Sequence, residues 1–429
     1  MTDMDPMKMS TGNKAGSPFC VGQWLPSDQA VLDQWLASKI AQVDKKRPLL
    51  PVIREFQELI ENDPEIFMLF HLMFSQVPHR PPYNKSPTQK PQVRHYKHML
   101  QLINHIMTEA PEFNEFGLVG FPINAILDWS MGTPAGSAAF LNARVNAQLK
   151  KILNEWGKFL CSSESTKVLS KDKRHGWFGQ DARKALPNFA EEFVCDPTRK
   201  HYGFKSWDDF FTRQFRKGRR PVAAPGDDSV IVNACESAPY KHAKNVKRRD
   251  RFWIKAQNYS LEHMLAKDPF TPQFVGGQIY QAFLSAFSYH RWHSPVNGTI
   301  VKAYVVDGTY YSETLAEGYD DSGPNESQGY ITHVATRALI FIQADNPDIG
   351  LMCVMPVGMA EVSTCEVTVF EGQRVRKGDQ LGMFHFGGST HCLFFRRGVK
   401  LKFDFHGQKP GLKATNIPIN ARIATVVKK

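Results

Sequence analysis

The tetrapeptide Gly387-Gly388-Ser389-Thr390 has the residue types needed for a chain to cut its own backbone. A glycine carbonyl is unhindered and glycine tolerates unusual backbone angles, so the next residue's hydroxyl can reach it. Attack of the Ser389 hydroxyl on the Gly388 carbonyl would break the peptide C–N bond and form an ester. β-Elimination would leave dehydroalanine, which takes up water and loses ammonia to give an N-terminal pyruvoyl ketone, an electrophilic cofactor. By themselves, the four residues are equally typical of a turn.

Two histidines that could act as the base lie in the segment Tyr289-His290-Arg291-Trp292-His293-Ser294-Pro295-Val296-Asn297-Gly298. Histidines three positions apart can bind a metal ion from one face of a helix. Pro295 and the Asn297-Gly298 pair favour a strand and a turn instead, and on a strand an odd spacing turns the two rings to opposite faces. We therefore predict no dedicated metal site and interpret one of them, His290 or His293, as a general base for the serine.

An acid that orients the histidine would complete a triad. Glu236 directly follows the apolar run at residues 230–232, within Asn233-Ala234-Cys235-Glu236-Ser237, and is placed like a residue at the end of a strand. A glutamate at such a position is also typical of an exposed surface. Both interpretations remain open from the sequence.

The elements that must position these residues divide the chain into two parts. The first half carries apolar residues at helical spacing, which predicts helices over residues 31–43, 51–61, 64–76, 95–109 and 137–161. From residue 230 onward, short apolar runs separated by Gly, Pro, Asn and Asp predict strands over residues 230–232, 298–306, 338–343, 351–355 and 362–369.

This pattern predicts an α+β fold, with a helical N-terminal region followed by a mostly antiparallel β domain. The predicted divisions are a disordered N-terminus at 1–25, a helical domain at 26–185 and a catalytic domain at 186–429. Residues 367–384 resemble the hammerhead half-barrel of biotinyl and lipoyl domains. If the likeness holds, the tetrapeptide is alternatively a simple hairpin of that half-barrel. The lysine motif of biotinyl and lipoyl carriers is absent, so the likeness does not imply a carrier function.

The composition is that of a globular protein, with 42% hydrophobic and 22% charged residues. No apolar run approaches the roughly twenty residues of a membrane-spanning helix, and the first residues show no secretory signal. We therefore predict a cytoplasmic protein. Seven cysteines without a C-x-x-C pair predict reduced thiols rather than disulfides or a zinc site.

The net charge of +11 is spread over several basic clusters. No nucleic-acid motif accompanies them, so we predict no nucleic-acid partner and interpret the clusters as a solvated basic surface. Peripheral contact with an anionic membrane remains open.

Several segments, in order from about residue 200 to 429, resemble the phosphatidylserine decarboxylase family, whose enzymes use a pyruvoyl group. The similar segments are Ser206-Trp207-Asp208-Asp209-Phe210-Phe211-Thr212-Arg213 with Gly218-Arg219-Arg220-Pro221, Tyr259-Ser260-Leu261, His290 to Gly298, Pro356-Val357-Gly358 and Gly388-Ser389-Thr390.

The resemblance implies a role for each candidate residue. Ser389 matches the self-cleavage nucleophile and the source of the pyruvoyl group, His293 the triad histidine, and His290 the histidine connected with decarboxylation. The cut would give chains 1–388 and 389–429, which we expect to stay associated. The sequence departs from the family at Glu236, where an aspartate is usual, and at Gly387, where leucine is common.

The variation at Gly387, the lack of a membrane segment and the long helical region resemble the soluble fungal branch of the family, whose members include L-tryptophan decarboxylases. The resemblance implies a pyruvoyl-dependent decarboxylase of an aromatic L-amino acid, with L-tryptophan converted to tryptamine and CO2 through an imine with the ketone. The alternatives are decarboxylation of phosphatidylserine to phosphatidylethanolamine at a membrane, and a protein of the same fold that never matures and binds a lipid or a partner.

Overall fold

A computed structural model describes most of the chain. The described residues are 29–43, 47–78, 93–113, 121–250, 259–285, 287–314, 324–361, 364–385 and 389–427. The segment predicted to be disordered, residues 1–25, lies outside them.

Helices form the N-terminal part, as the apolar spacing predicts. Asp63 shows why one of them begins where it does, because its side chain accepts a hydrogen bond from the Ile66 N–H at 3.0 Å and Pro64 occupies the first helical position. The longer helices are α1 (Gln29–Gln42), α2 (Pro51–Asn62), α3 (Pro64–Ser75), α4 (Tyr96–Ile106), α5 (Pro122–Met131), α6 (Pro134–Leu141) and α7 (Ala143–Leu160).

The prediction of one helix over residues 137–161 was wrong, because the helix is interrupted at Asn142. This residue has extended backbone angles, φ −66° and ψ 126°, and its side chain accepts hydrogen bonds from the N–H groups of Arg144 at 2.9 Å and Val145 at 3.3 Å. Asn142 therefore ends α6 and caps the N-terminus of α7.

Six further α-helices follow in the described residues. They are α8 (Gln180–Ala185), α9 (Phe189–Glu192), α10 (Trp207–Phe211), α11 (Leu261–Met264), α12 (Thr271–Phe274) and α13 (Pro324–Val334). Helix α10 is capped by Ser206, whose hydroxyl accepts a hydrogen bond from the Asp209 N–H at 3.0 Å.

The described strands begin at residue 230, and every predicted strand overlaps an observed one. They are β1 (Val230–Val232), β2 (Ala238–Lys244), β3 (Gln278–Leu284), β4 (Arg291–His293), β5 (Gly298–Val306), β6 (Arg337–Ala344), β7 (Leu351–Gly358), β8 (Thr364–Val367), β9 (Arg374–Val375), β10 (Gln380–His385), β11 (Ser389–Phe395), β12 (Leu401–Phe403) and β13 (Arg422–Val426).

Antiparallel pairing joins these strands into three sheets. The largest has seven strands in the order β2-β3-β11-β7-β6-β5-β9, so β11 lies inside it rather than at an edge. The two smaller sheets have the orders β1-β13-β12 and β4-β10-β8. The predicted mixture of helices and antiparallel sheet is confirmed, whereas the half-barrel at residues 367–384 stays a prediction.

The helical and β-rich parts share one hydrophobic core. Phe140 of α6 packs against Tyr311 with ring centroids 6.3 Å apart, and Phe113 packs against Phe287 at 5.8 Å. Within the described residues, no helix has the length and apolar character to cross a membrane. The division into domains and the cytoplasmic location stay predictions.

Candidate active site

Ser389 is the first residue of β11, in the interior of the seven-stranded sheet. It pairs with Leu284 of β3 on one side and with Gly358 of β7 on the other. The residue is fully buried, and its Oγ has no hydrogen-bond partner in the part of the chain that the structure describes. The preceding Gly387 and Gly388 lie outside the described residues. A buried hydroxyl without a partner is unusual, which makes Ser389 a candidate for a chemical role.

The next residue anchors the start of β11 from the opposite face of the sheet. The Thr390 hydroxyl donates to the Ala282 carbonyl at 2.9 Å and accepts from the Gln281 Nε2 at 3.1 Å. The same Gln281 amide donates to the Gln328 carbonyl at 2.9 Å. Because neighbouring residues of a strand face opposite sides, these bonds hold the strand while leaving the Ser389 side chain unengaged.

His290 directly precedes the short strand β4 and His293 is its last residue, and β4 pairs with β10. His293 stands opposite Gln380, while the His290 carbonyl accepts a hydrogen bond from the Phe384 N–H at 2.9 Å. Strand β10 runs from Gln380 toward Ser389, so this register places His290 beside the end of β10 that is nearer to Ser389 in sequence. The His290 ring is fully buried and stacks on Phe211 with centroids 4.1 Å apart.

His293 has the properties of a proton acceptor. Its Nε2 lies 3.0 Å from the Tyr289 hydroxyl oxygen, and its backbone N–H donates to the Ala234 carbonyl at 2.8 Å. Burial lowers the pKa of His293 to about 4, against a smaller raising effect from the Gly378 backbone. The ring is therefore neutral at pH 7, the form in which a histidine accepts a proton, and its lowered pKa makes it a weaker base than a free imidazole.

Glu236 is buried, 9% exposed, so the alternative of a surface glutamate was wrong. Its carboxylate accepts from Arg220 at 2.9 to 3.2 Å and from the Ile419 N–H at 2.8 Å. In the described structure no hydrogen bond joins Glu236 to His293. The carboxylate instead raises the pKa of Tyr289 above its usual value, adding to the larger effect of burial. Tyr289, which contacts the His293 ring, therefore lies near the charge of Glu236, whereas the carboxylate that raises the pKa of His293 is Asp379.

Two residues of the segment 206–213 position the site in ways that the sequence does not reveal. The buried Arg213 donates from Nη2 to the carbonyls of Phe287 at 2.7 Å and Ser288 at 3.2 Å, which fixes the chain just before the two candidate histidines. Asp208 accepts from Nδ1 of His385, the last residue of β10, at 3.0 Å.

The His385 ring is held between two carboxylates. Its Nε2 lies 2.7 Å from the Glu366 carboxylate, on the side away from Asp208. Burial alone would lower the pKa of His385, but the hydrogen bonds and charges of these two carboxylates raise it to about 9. His385 is therefore an imidazolium that ties β10 to α10 and β8 close to the cut in sequence.

His391 is a candidate that the sequence reasoning missed. It lies two positions after Ser389 on the same face of β11 and is fully buried. Neither ring nitrogen has a partner among the described residues, and burial lowers the pKa of His391 to about 3. The signal in the sequence was the two-residue spacing from the serine. No group of three or more His, Cys, Asp or Glu able to hold a metal ion occurs in the described ranges.

Comparisons with known proteins agree with this arrangement. Two family models, both described as phosphatidylserine decarboxylase, match residues 50–186 and 207–413. The L-tryptophan decarboxylase of Psilocybe cyanescens is 39% identical over 431 residues, covering 94% of each chain. Decarboxylase iboD of Amanita muscaria is 44% identical over 321 residues, covering 68% of this chain and 91% of its own.

A more distant relative is the phosphatidylserine decarboxylase proenzyme 3 of Schizosaccharomyces pombe. It is 31% identical over 197 residues, covering 46% of this chain and 19% of its own. The similarity that extends over 94% of the chain is therefore to the Psilocybe enzyme, whereas the match to the proenzyme covers less than half of it. The chain belongs to the phosphatidylserine decarboxylase family of decarboxylases, in the fungal branch represented by the Psilocybe and Amanita enzymes.

Proposed function

We propose that this chain is a pyruvoyl-dependent decarboxylase of an aromatic L-amino acid, with L-tryptophan as its substrate and tryptamine and CO2 as its products. The observation that carries the proposal is the buried, unpartnered Oγ of Ser389 at the start of an interior strand. The substrate follows from relatives named L-tryptophan decarboxylase, which match along 94% of the chain.

The surroundings of Ser389 fit a pyruvoyl group derived from it. The site is closed to solvent, and the facing residue Gly358 has no side chain to occupy the adjoining space. When formed, the ketone would condense with the substrate amine and delocalise the electron pair that stays on the α-carbon after CO2 leaves.

Maturation requires a base and an attacking hydroxyl, and we assign these roles to His293 and Ser389. Neutral His293 takes the hydroxyl proton as Ser389 Oγ attacks the Gly388 carbonyl, and the proton then passes to the departing amide nitrogen. We assign Glu236 a supporting role through Tyr289, the residue that contacts His293, while the charge of Asp379 raises the pKa of His293 and favours the imidazolium that forms.

In the decarboxylation reaction, a proton must be returned to the substrate's α-carbon after CO2 leaves. We assign this step to His290, because its backbone is bonded to Phe384 of the strand that leads to the cut. Packing against Phe211 holds the ring in one orientation.

The two chains made by the cut, 1–388 and 389–429, would remain associated. Strand β11 belongs to the small chain but pairs with β3 and β7 of the large chain over seven residues on each side. Separation would expose this buried strand together with its backbone hydrogen-bonding groups.

A side-by-side assay tests the proposed function. Purified mature protein is incubated with tryptophan, tyrosine and phenylalanine, and separately with vesicles that contain phosphatidylserine, and the amine products are measured. Tryptamine without phosphatidylethanolamine supports the proposal. Phosphatidylethanolamine without any aromatic amine would show that the substrate is the lipid, and an uncut, inactive chain would indicate the non-maturing binding protein.

A further inference from the structure

Residue 389 must react with water at a position that solvent does not reach. The proposed maturation ends when the residue formed from Ser389 takes up one water molecule and releases ammonia, yet Ser389 is fully buried in an interior strand. While the residue stays buried, the water that it meets comes from the protein interior, where ordered waters occupy cavities with polar walls. The last step of maturation therefore needs a water molecule held inside the protein, close to residue 389.

A small cavity lies between the helical region and one end of the seven-stranded sheet. Its walls come from α5, the segment after β5, α13 and the end of β7, and its volume is about 20 Å³. A cavity of roughly 10–15 Å³ or more can hold a water molecule, so this one has room for one water and not for a substrate ring. Gly358 lines the cavity and is the residue of β7 directly opposite Ser389. Because opposed residues of antiparallel strands have Cα atoms roughly 4.5–5.5 Å apart, the cavity begins directly across from the reacting carbon.

Two polar groups of the lining residues lack hydrogen-bond partners among the described residues. They are the hydroxyl of Tyr311, a residue that is 1% exposed, and Nδ2 of Asn124, a residue that is 2% exposed. A buried polar group without a partner costs about 1–3 kcal/mol, so a water molecule that bonds both groups would stabilise the folded protein. The buried Glu313 also lines the cavity, and its carboxyl group has an acceptor oxygen in either protonation state. These three side chains offer the set of polar partners that a buried water requires.

Neighbouring groups hold two of these side chains in place. Oε1 of Glu361 accepts from the N–H groups of Ile123 at 2.7 Å and Asn124 at 2.9 Å, which fixes the first turn of α5 and with it the Asn124 side chain. The Tyr311 ring packs against Phe140 of α6, with ring centroids 6.3 Å apart. The polar walls of the cavity are therefore formed by the fold itself.

We propose that this cavity holds one ordered water molecule, bonded by Tyr311, Asn124 and Glu313, and that this water hydrolyses residue 389 in the last step of maturation. The role of the water rests on the proposed function, in which β-elimination leaves residue 389 as an N-terminal dehydroalanine. The tautomer of dehydroalanine is an imine, HN=C, at the former serine Cα. The water oxygen forms a bond to that carbon, and the C–N bond breaks with its electron pair going to nitrogen. The nitrogen takes both water hydrogens and leaves as ammonia, so the carbon becomes the ketone without an oxidant or a reductant.

The test measures the chemical state of residue 389 while the protein matures. Protein made in a cell-free system is quenched at successive times with borohydride, which reduces the imine to alanine and the ketone to a lactoyl group. The N-terminal tryptic peptide of the small chain, residues 389–396, then differs by about one mass unit between the two states. Mass spectrometry of this peptide gives their ratio, and a denaturing gel gives the extent of the cut.

Tyr311→Phe removes one partner of the water. Tyr310→Phe is the matched control, because the hydroxyl of the neighbouring Tyr310 is bonded to Thr336. We expect Tyr311→Phe to be cut but to hydrolyse residue 389 about tenfold more slowly than wild type, so that the peptide with N-terminal alanine accumulates. The control should show the wild-type ratio. A wild-type hydrolysis rate in cut Tyr311→Phe overturns the role of this water.

A second variant, Ala335→Val, adds two methyl groups to the wall of the cavity and keeps the proposal testable if Tyr311→Phe stays uncut. We expect the same accumulation of the alanine peptide, and a wild-type hydrolysis rate in the cut variant overturns the proposal. A crystal structure of uncut Ser389→Ala should show one ordered water within about 3.5 Å of the Tyr311 hydroxyl and of Asn124 Nδ2, and a cavity without ordered water overturns the site. A wild-type chain that is never cut, or whose small chain keeps an N-terminal serine, shows instead that the proposed function fails.

Discussion

Replacing Glu236 by glutamine tests how this carboxylate acts on the site. The side chain bonds Arg220 and the Ile419 N–H and makes no hydrogen bond to His293 in the described structure, while its charge raises the pKa of Tyr289, which contacts His293. Removing a carboxylate that directly holds a triad histidine costs about 10⁴-fold in rate. An indirect charge effect worth one pKa unit costs about tenfold. We therefore expect Glu236→Gln to slow self-cleavage about tenfold.

The matched control is Glu192→Gln. Glu192 is the other carboxylate on Arg220, at 2.5 Å from Nη1, and no hydrogen bond connects it to Tyr289 or His293 in the described structure. Both substitutions remove a charged partner of Arg220, which we expect to lower the free energy of unfolding by about 2 kcal/mol. Only Glu236→Gln should slow the cut.

The assay follows the appearance of the small chain after synthesis in a cell-free system, by denaturing gel. Stability is measured by urea unfolding in an uncut Ser389→Ala background. A loss of 10³-fold or more in the folded Glu236→Gln protein would show direct contact with His293 in the reactive state. Equal cleavage rates in Glu236→Gln and Glu192→Gln would remove Glu236 from the mechanism.

Three further predictions concern single side chains. His290→Ala should leave self-cleavage intact but reduce turnover 10²-fold or more, as for loss of a general acid. If this variant stays uncut, His290 is the base of self-cleavage and His293 is not. His385→Gln should lower the free energy of unfolding by about 3 kcal/mol at pH 6 and by much less at pH 10. The fold raises the pKa of His385 from 6.5 to about 9, so the protonated ring stabilises the folded protein below pH 6.5. That contribution is lost as the pH rises through 9. Equal losses at both pH values in urea unfolding would contradict this. Burial raises the pKa of Glu361 to about 7. The free energy of unfolding of the protein should therefore fall by about 3 kcal/mol as the pH rises from 4.5 through 7, and Glu361→Gln in the Ser389→Ala background should lack that fall. Parallel pH profiles of the two proteins would refute this prediction.

Much of the fold was readable from apolar spacing, which located α2 and α3 to within a residue or two. The break at Asn142 was not, because the apolar stripe continues across it and the interruption depends on a side-chain cap. Ser389 and the two histidines could be named as candidates because each lies in a short segment whose residue types suggest a chemical role. The placement of β11 inside a sheet depends on pairing between distant strands, which spacing along the chain does not encode.

The partners of the site residues were harder to predict. Arg220 belongs to a cluster that the sequence analysis interpreted as solvated, yet it forms a partly buried pair with Glu236. Tyr311 and His391 belong to no motif, and their interest comes from burial without hydrogen-bond partners. Such features arise only when several elements close around one side chain.

The intact mass of the purified protein tests the central claim, that Ser389 becomes the cofactor, most directly. We predict two chains, 1–388 and 389–429, whose masses sum to the precursor plus about one mass unit, since water is gained and ammonia lost when the ketone forms. Phenylhydrazine should label only the smaller chain, and Ser389→Ala should give one uncut, unlabelled chain. A single uncut wild-type chain, or a small chain that retains an N-terminal serine, would contradict the account.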